Sequence, residues 1–105
     1  MKVFVLGGDG FCGWPCAVNL ADKGHDVFIV DNLSRRKIDI DLEVESLTPI
    51  TSIGERIKAW SEIGGKPIQF IHLDLSSEYQ KLLDLLIEEK PDSIIHFAEQ
   101  RAAPY

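Results

Sequence analysis

Apolar and polar positions alternate along this chain in two kinds of block. "KVFVLG" (2–7), "HDVFIVD" (25–31), "PIQFIHLD" (67–74) and "DSIIHFA" (92–98) are short, nearly continuous apolar runs. The first two suit buried parallel strands, and the other two read as the third and fourth strands. Between them lie blocks of helical spacing. In "CGWPCAVNLADKG" (12–24), Ala17, Val18, Leu20 and Ala21 form one apolar face, Pro15 sits in the first turn and Gly24 is a stop. In "SIGERIKAWSEIGG" (52–65), Ser52 and Glu55 make a capping-box pattern, while Ile53, Ile57 and Trp60 share a face. In "SSEYQKLLDLLIEEKP" (76–91), Ser77 with Gln80 is the expected cap, Tyr79, Leu82, Leu83 and Leu86 the expected apolar side, and Pro91 the stop. Residues 32–51 show no clear period.

The order is therefore βαβαβαβ. Parallel strands need such crossovers, and right-handed crossovers put helices on both faces of the sheet. The expectation is an α/β fold with a Rossmann-type doubly wound parallel sheet. Such sheets usually have about six strands, whereas this chain predicts four. Residues 1–105 thus read as the N-terminal portion of the domain and the front part of a longer protein, with a hydrophobic edge at the fourth strand that favours association.

Composition narrows the function classes. The 45% apolar content suits a folded domain. The net charge of −6 argues against nucleic-acid or anionic-membrane binding but leaves room for a small phosphate ligand held by local donors. No run is long enough to span a membrane, and no signal or transit peptide is apparent, so the expected location is cytoplasmic. Cys12 and Cys16 are not a CxxC pair and read as free, partly buried thiols.

The stretch "LGGDGFCGW" (6–14) carries the chemistry. Gly7, Gly10 and Gly13 give the spacing GxxGxxG between a strand and a helix. The first can make the tight turn, the second lets a pyrophosphate approach the main chain, and the third lets the helix pack closely. Gly8 adds freedom to the turn. Helix-start amides and the helix dipole then face the phosphates. Asp31 lies eighteen residues after Gly13 at the end of the second strand. A carboxylate there can accept from both ribose hydroxyls and repels a 2′-phosphate, favouring NAD over NADP. Arg35 and Arg36 could instead accommodate such a phosphate, or form a solvated pair. Asp74 is placed either to meet the adenine amino group or to serve as a loop or cap residue. Beyond strand four, "FAEQRAAPY" puts Glu99, Gln100 and Arg101 beside the crevice. Arg101 could pair with an anion through its planar fork, or lie on the surface. His96 reads as a core-strand residue.

"GGDGFCGW", "VDNLSRR", "ESLTPITSI" and "HFAEQRAAPY" together resemble the UDP-sulfoquinovose synthases, NAD-dependent members of the extended short-chain dehydrogenase/reductase group. The resemblance covers nearly the whole chain. The glycine spacing and strand-end Asp are shared with many sugar-nucleotide epimerases and dehydratases, while "ESLTPI" and "EQRAAPY" are more specific. It implies conversion of UDP-glucose and sulfite to UDP-sulfoquinovose, for sulfolipid or other sulfosugar synthesis. Oxidation at C4 with NAD as hydride acceptor acidifies C5–H, water leaves across C5–C6, sulfite adds at C6, and hydride return restores C4. It also implies a homodimer. By the same resemblance Gly7, Asp9, Gly10, Phe11, Cys12 and Gly13 would hold the pyrophosphate. Asp31, Asn32, Leu33, Arg35 and Arg36 would surround the adenosine ribose, Asp74 and Leu75 would edge the adenine, and Arg101 would lie between cofactor and substrate.

The group's catalytic Tyr-x-x-x-Lys is absent: Tyr79 is followed four residues later by Leu83, and Tyr105 is the last residue. These 105 residues are therefore expected to be inactive alone, with catalysis belonging to a longer parent. A UDP-sugar 4-epimerase or dehydratase on the same NAD site, and a freestanding NAD-binding module, are the competing readings.

Overall fold

The computed structural model describes residues 1–33, 41–43 and 51–98. The strands are β1 (Lys2–Leu6), β2 (Asp26–Asp31), β3 (Ile68–His72) and β4 (Ser93–His96), and the helices are α1 (Gly13–Asp22), α2 (Ile53–Glu62) and α3 (Tyr79–Glu89). All three strand pairings are parallel and the sheet order is β3-β2-β1-β4. This is the expected Rossmann-type α/β sheet. From β1 the chain winds outward to β2 and β3, then returns to the other side of β1. The reversal places a crevice at the carboxyl ends of β1 and β4, where such sheets bind ligands.

The near-continuous apolar runs of β1 and β2 reflect burial on two faces, whereas β3 is largely half-buried or exposed and β4 largely exposed. Val3, Val5, Val27, Ile29 and Ile68 pack with Ala17 and Ala21 of α1 and Ile53 of α2. Phe4, Leu6, Phe28 and Val30 point the other way and pack with Leu73 and with Leu82, Leu85 and Leu86 of α3. Phe4 and Phe28 are register partners, and their rings stack at 5.2 Å. Phe4, Ile29, Val3, Val5, Val27 and Val30 are essentially inaccessible. Each such side chain contributes about 1.5–3 kcal/mol relative to exposure. The polar margins are tied down too: the Lys2 ammonium donates to the Glu89 carboxylate at 3.1 Å and to its carbonyl at 2.9 Å, fixing the end of α3 to β1.

Four expectations are corrected. The helix anticipated from residue 76 starts at Tyr79, because the Asp74 carboxylate draws Ser76 into a turn by accepting from its N–H (3.0 Å) and hydroxyl (2.7 Å). Glu78 takes the N-cap position, no side chain caps the helix, and the Ser77–Gln80 cap does not form. Tyr79 is exposed, and Leu85 packs in its place beside Leu82 and Leu86. His96 is in β4 as expected but exposed, not in the core. Among the described residues β4 has a neighbour on one edge only, and Ile95 is the part of it that packs on a core cluster.

Candidate functional site

The site grows from the end of β1. The Gly7 N–H donates to the Val30 carbonyl at 2.8 Å, and the chain turns there with φ of 85°. A side chain at Gly7 would strike the backbone of Phe97 and Ala98 at 2.8 Å, so the turn presses against the end of β4. Gly13 begins α1, and a Cβ there would lie 2.2 Å from the Gly7 carbonyl oxygen. Gly8 does not use a left-handed conformation; it makes room for the buried Ile29 side chain.

Gly10 is different. It adopts no positive φ, and a Cβ there would meet only the Gly7 carbonyl oxygen, at 3.4 Å, an ordinary contact. Neither conformation nor packing within the described chain requires glycine at this position. The main chain is left bare on its outer side, next to the start of α1. Among the described residues no acceptor meets the N–H groups of Phe11, Cys12 or Gly13. Bare backbone, three unclaimed donors and the positive end of a ten-residue helix make a cradle for a diphosphate. Phe11 and Cys12 are exposed at its rim; both cysteines are free thiols, Cys16 partly buried as expected and Cys12 exposed instead.

Asp31 ends β2 beside this corner. One carboxylate oxygen accepts from the Asp9 N–H at 3.0 Å, the other from the Leu33 N–H at 2.7 Å. Two fixed amide donors orient the carboxylate, and each oxygen keeps a lone pair for a hydroxyl donor. The diol of an adenosine ribose matches that chemistry. Asn32 and Leu33 follow directly, with Leu33 held at φ of 58°. The residues present thus fit a dinucleotide of the NAD type.

Asp9 departs from expectation. Its side chain is buried and turned toward Arg56 of α2, with which it forms an ion pair. Arg56 also donates to the Asp9 carbonyl at 3.3 Å and lies over the Trp14 ring, 4.9 Å from its centre. Only the Asp9 main chain faces the Asp31 side of the corner. Asp74, at the end of β3, is the turn residue already described. The Ser76 hydroxyl and N–H hold its carboxyl below the ordinary aspartate range. Leu75 is partly buried against the α3 cluster. Arg35, Arg36 and Arg101, with Glu99 and Gln100, lie outside the described residues.

Arg56 was not anticipated. Its one signal in the sequence is a cation just before Ile57, on a helix whose apolar face was recognised. A shallow groove lined by Trp14, Pro15, Val18, Asn19, Asp22 and Trp60 lies between α1 and α2 and shares only Trp14 with this network. Among the described residues there is no cluster of side chains suited to a metal ion, and no helix is long and apolar enough to cross a membrane.

Comparison with known proteins agrees with this geometry. A family described as the NAD dependent epimerase/dehydratase family matches residues 3–104. The chloroplastic UDP-sulfoquinovose synthase of Spinacia oleracea is 46% identical over 104 residues, covering 99% of this chain and 21% of that protein. The UDP-sulfoquinovose synthase of Sulfolobus acidocaldarius is 41% identical over 105 residues, covering 100% of this chain and 26% of that protein. Among solved structures, a UDP-glucose-4-epimerase from Stenotrophomonas maltophila with bound NAD and formylated UDP-arabinopyranose superposes with a TM-score of 0.66. It is 27% identical and covers 97% of this chain and 25% of that one. The chain spans about a quarter or less of each of these relatives.

Proposed function

Since the chain belongs to the NAD dependent epimerase/dehydratase family, we propose that it forms the NAD-binding part of an enzyme that makes UDP-sulfoquinovose from UDP-glucose and sulfite. The observation that carries the cofactor reading is Gly10, a glycine required by nothing in the described chain, beside three unclaimed amides. The choice of reaction rests on identities of 46% and 41% to two synthases across essentially the whole chain.

When bound, NAD supplies reversible hydride acceptance from the sugar. The chain's own residues bind and orient. The N–H groups of Phe11, Cys12 and Gly13 donate to the diphosphate, Gly7 and Gly13 bring turn and helix together, and Gly10 leaves the approach open. Asp31, with Asn32 and Leu33 beside it, accepts from the adenosine ribose, and its charge disfavours a 2′-phosphate. Asp74 and Leu75 border the adenine. Arg35 and Arg36 at the ribose, and Arg101 between cofactor and substrate, complete the proposed set. The chain holds no Tyr-x-x-x-Lys, so turnover is assigned to the longer protein, acting as a homodimer.

The epimerase structure favours a second reading, a UDP-sugar 4-epimerase on the same NAD site. One assay separates the two. Full-length protein is incubated with UDP-glucose, NAD and isotopically labelled sulfite, and the sugar nucleotides are resolved. Label in a UDP-sugar supports the synthase. UDP-galactose without label supports the epimerase and refutes the synthase.

A further inference from the structure

An anion-binding corner that carries a carboxylate of its own poses an electrostatic problem. Asp9 stands between Gly8 and Gly10, and it is the one charged side chain in the buried set among the described residues. Asp31 brings a second carboxylate to the same corner through the Asp9 N–H. Two acidic groups beside a diphosphate would repel it.

Arg56 answers this from a distance of 47 residues in the chain. Its guanidinium pairs with the Asp9 carboxylate, donates to the Asp9 carbonyl and covers the Trp14 ring. Asp9 and Trp14 flank the segment 10–13 that holds the bare glycine and the unclaimed amides. Arg56 therefore grips both ends of the corner at once. Its own Nε is fixed by the Thr51 carbonyl at 3.1 Å, and the first turn of its helix is fixed by Ser52, whose hydroxyl accepts from the Glu55 N–H at 3.2 Å. The Arg56 side chain is about nine-tenths buried, so this pairing is little screened by solvent.

We propose that Arg56 is a positioning residue for the dinucleotide diphosphate, acting through Asp9: it offsets the Asp9 charge and clamps the glycine corner from inside the fold. This rests on the nucleotide reading above and adds to it a residue from the crossover between β2 and β3, outside the glycine motif.

The test uses purified full-length protein titrated with NAD and, in parallel, with adenosine, which lacks phosphate. Arg56→Met should weaken NAD at least about tenfold and adenosine by less than about threefold, because the Asp9 charge, no longer offset by Arg56, acts on phosphate charge. Arg56→Lys, which keeps the charge, should stay within about fivefold of wild type for NAD. Adding Asp9→Asn to Arg56→Met should return NAD affinity to within about threefold of wild type, a rescue that a purely structural role would not give. Unchanged NAD binding in Arg56→Met overturns the proposal. So does an equal loss of NAD and adenosine, or a double variant no better than the single. If Arg56→Met does not fold, the charge-neutral double variant decides: recovery to within threefold supports the proposal, and a tenfold deficit overturns it. Wild-type protein that binds neither ligand overturns the nucleotide reading itself and this inference with it.

Discussion

Gly10 and Gly13 sit three residues apart in one motif, yet the structure assigns them opposite sensitivities to alanine. At Gly13 the added methyl would lie 2.2 Å from the Gly7 carbonyl oxygen and 2.8 Å from the Gly8 Cα. That is more than about 1 Å inside van der Waals contact. The atoms struck are main chain, so no side chain can swing away; the start of α1 and the turn after β1 must separate. Overpacking of this kind costs about 1–3 kcal/mol, and the backbone location puts Gly13→Ala at the upper end. In a full-length protein larger than this chain each kcal/mol lowers the midpoint by about 2–4 °C, so a drop of about 6 °C or more is expected. Gly10→Ala meets only an oxygen at 3.4 Å and needs no left-handed backbone. Its stability should change by less than about 1 kcal/mol. Its methyl nonetheless occupies the approach to the three open amides, and NAD affinity should fall at least about tenfold, or about 1.4 kcal/mol. Thermal unfolding followed by circular dichroism, paired with calorimetric NAD titration, reads both quantities. A Gly10→Ala protein that binds NAD as wild type does, or a Gly13→Ala protein that melts with wild type, would refute the assignment of these two glycines.

Other consequences follow from the same contacts. Asp31→Ala removes the acceptor for the Asp9 and Leu33 amides; urea denaturation should show a loss of about 1–3 kcal/mol, together with lost NAD binding. Ser52→Ala removes the α2 cap and should cost about 1 kcal/mol, read as faster hydrogen exchange in the first turn of that helix. The Ser76 contacts hold the Asp74 carboxyl low, and the Lys81 ammonium, with the Asp74 N–H, does the same for Glu78. Both folded values lie below the unfolded ones, so their stabilisation is complete above the ordinary carboxylate range and lost as pH falls below about 4. Lys81 is raised by Glu78 and runs the other way, its contribution fading only as pH rises above the ordinary lysine range. Carboxyl NMR titration of Asp74 in wild type and Ser76→Ala checks the hydroxyl's share: the alanine variant, which keeps the Ser76 N–H, should titrate at higher pH, and an unchanged midpoint would exclude the Ser76 hydroxyl as a cause.

The parts of this protein that were legible in its sequence are those whose determinants are local. Val3, Val5, Val27 and Ile29 alternate with Phe4, Leu6, Phe28 and Val30, and both sets are apolar because helices cover both faces of the sheet. That arrangement writes itself as continuous apolar runs. Gly7, Gly13 and Asp31 were readable because a left-handed turn, a close helix approach and a strand-end carboxylate each need one residue type at one spacing. Where two local solutions compete, sequence does not choose: Asp74 and Ser77 could each have organised the start of α3, and the Asp74–Ser76 turn prevailed. Tyr79 and Leu85 exchange places because Leu82, Leu85 and Leu86, at i, i+3 and i+4, form the stripe that meets the sheet, while Tyr79 in the first turn is exposed.

Arg56 belongs to another category. Its pairing with Asp9 spans 47 residues, so neither position carries a mark of the other. Asp9 taken alone is an acid in the turn proposed to hold a diphosphate, which electrostatics disfavours. Arg56 taken alone is a cation on an amphipathic helix, which needs no explanation. The two become intelligible only when α2 packs across Trp14 and brings them together. On the proposed reading the acid in that corner is offset by a cation from elsewhere in the fold, Arg56 of the crossover between β2 and β3. The fold of that crossover and the charge of the corner constrain each other: a substitution that tilts α2 should weaken NAD as surely as one that alters the glycines, even though it touches none of them.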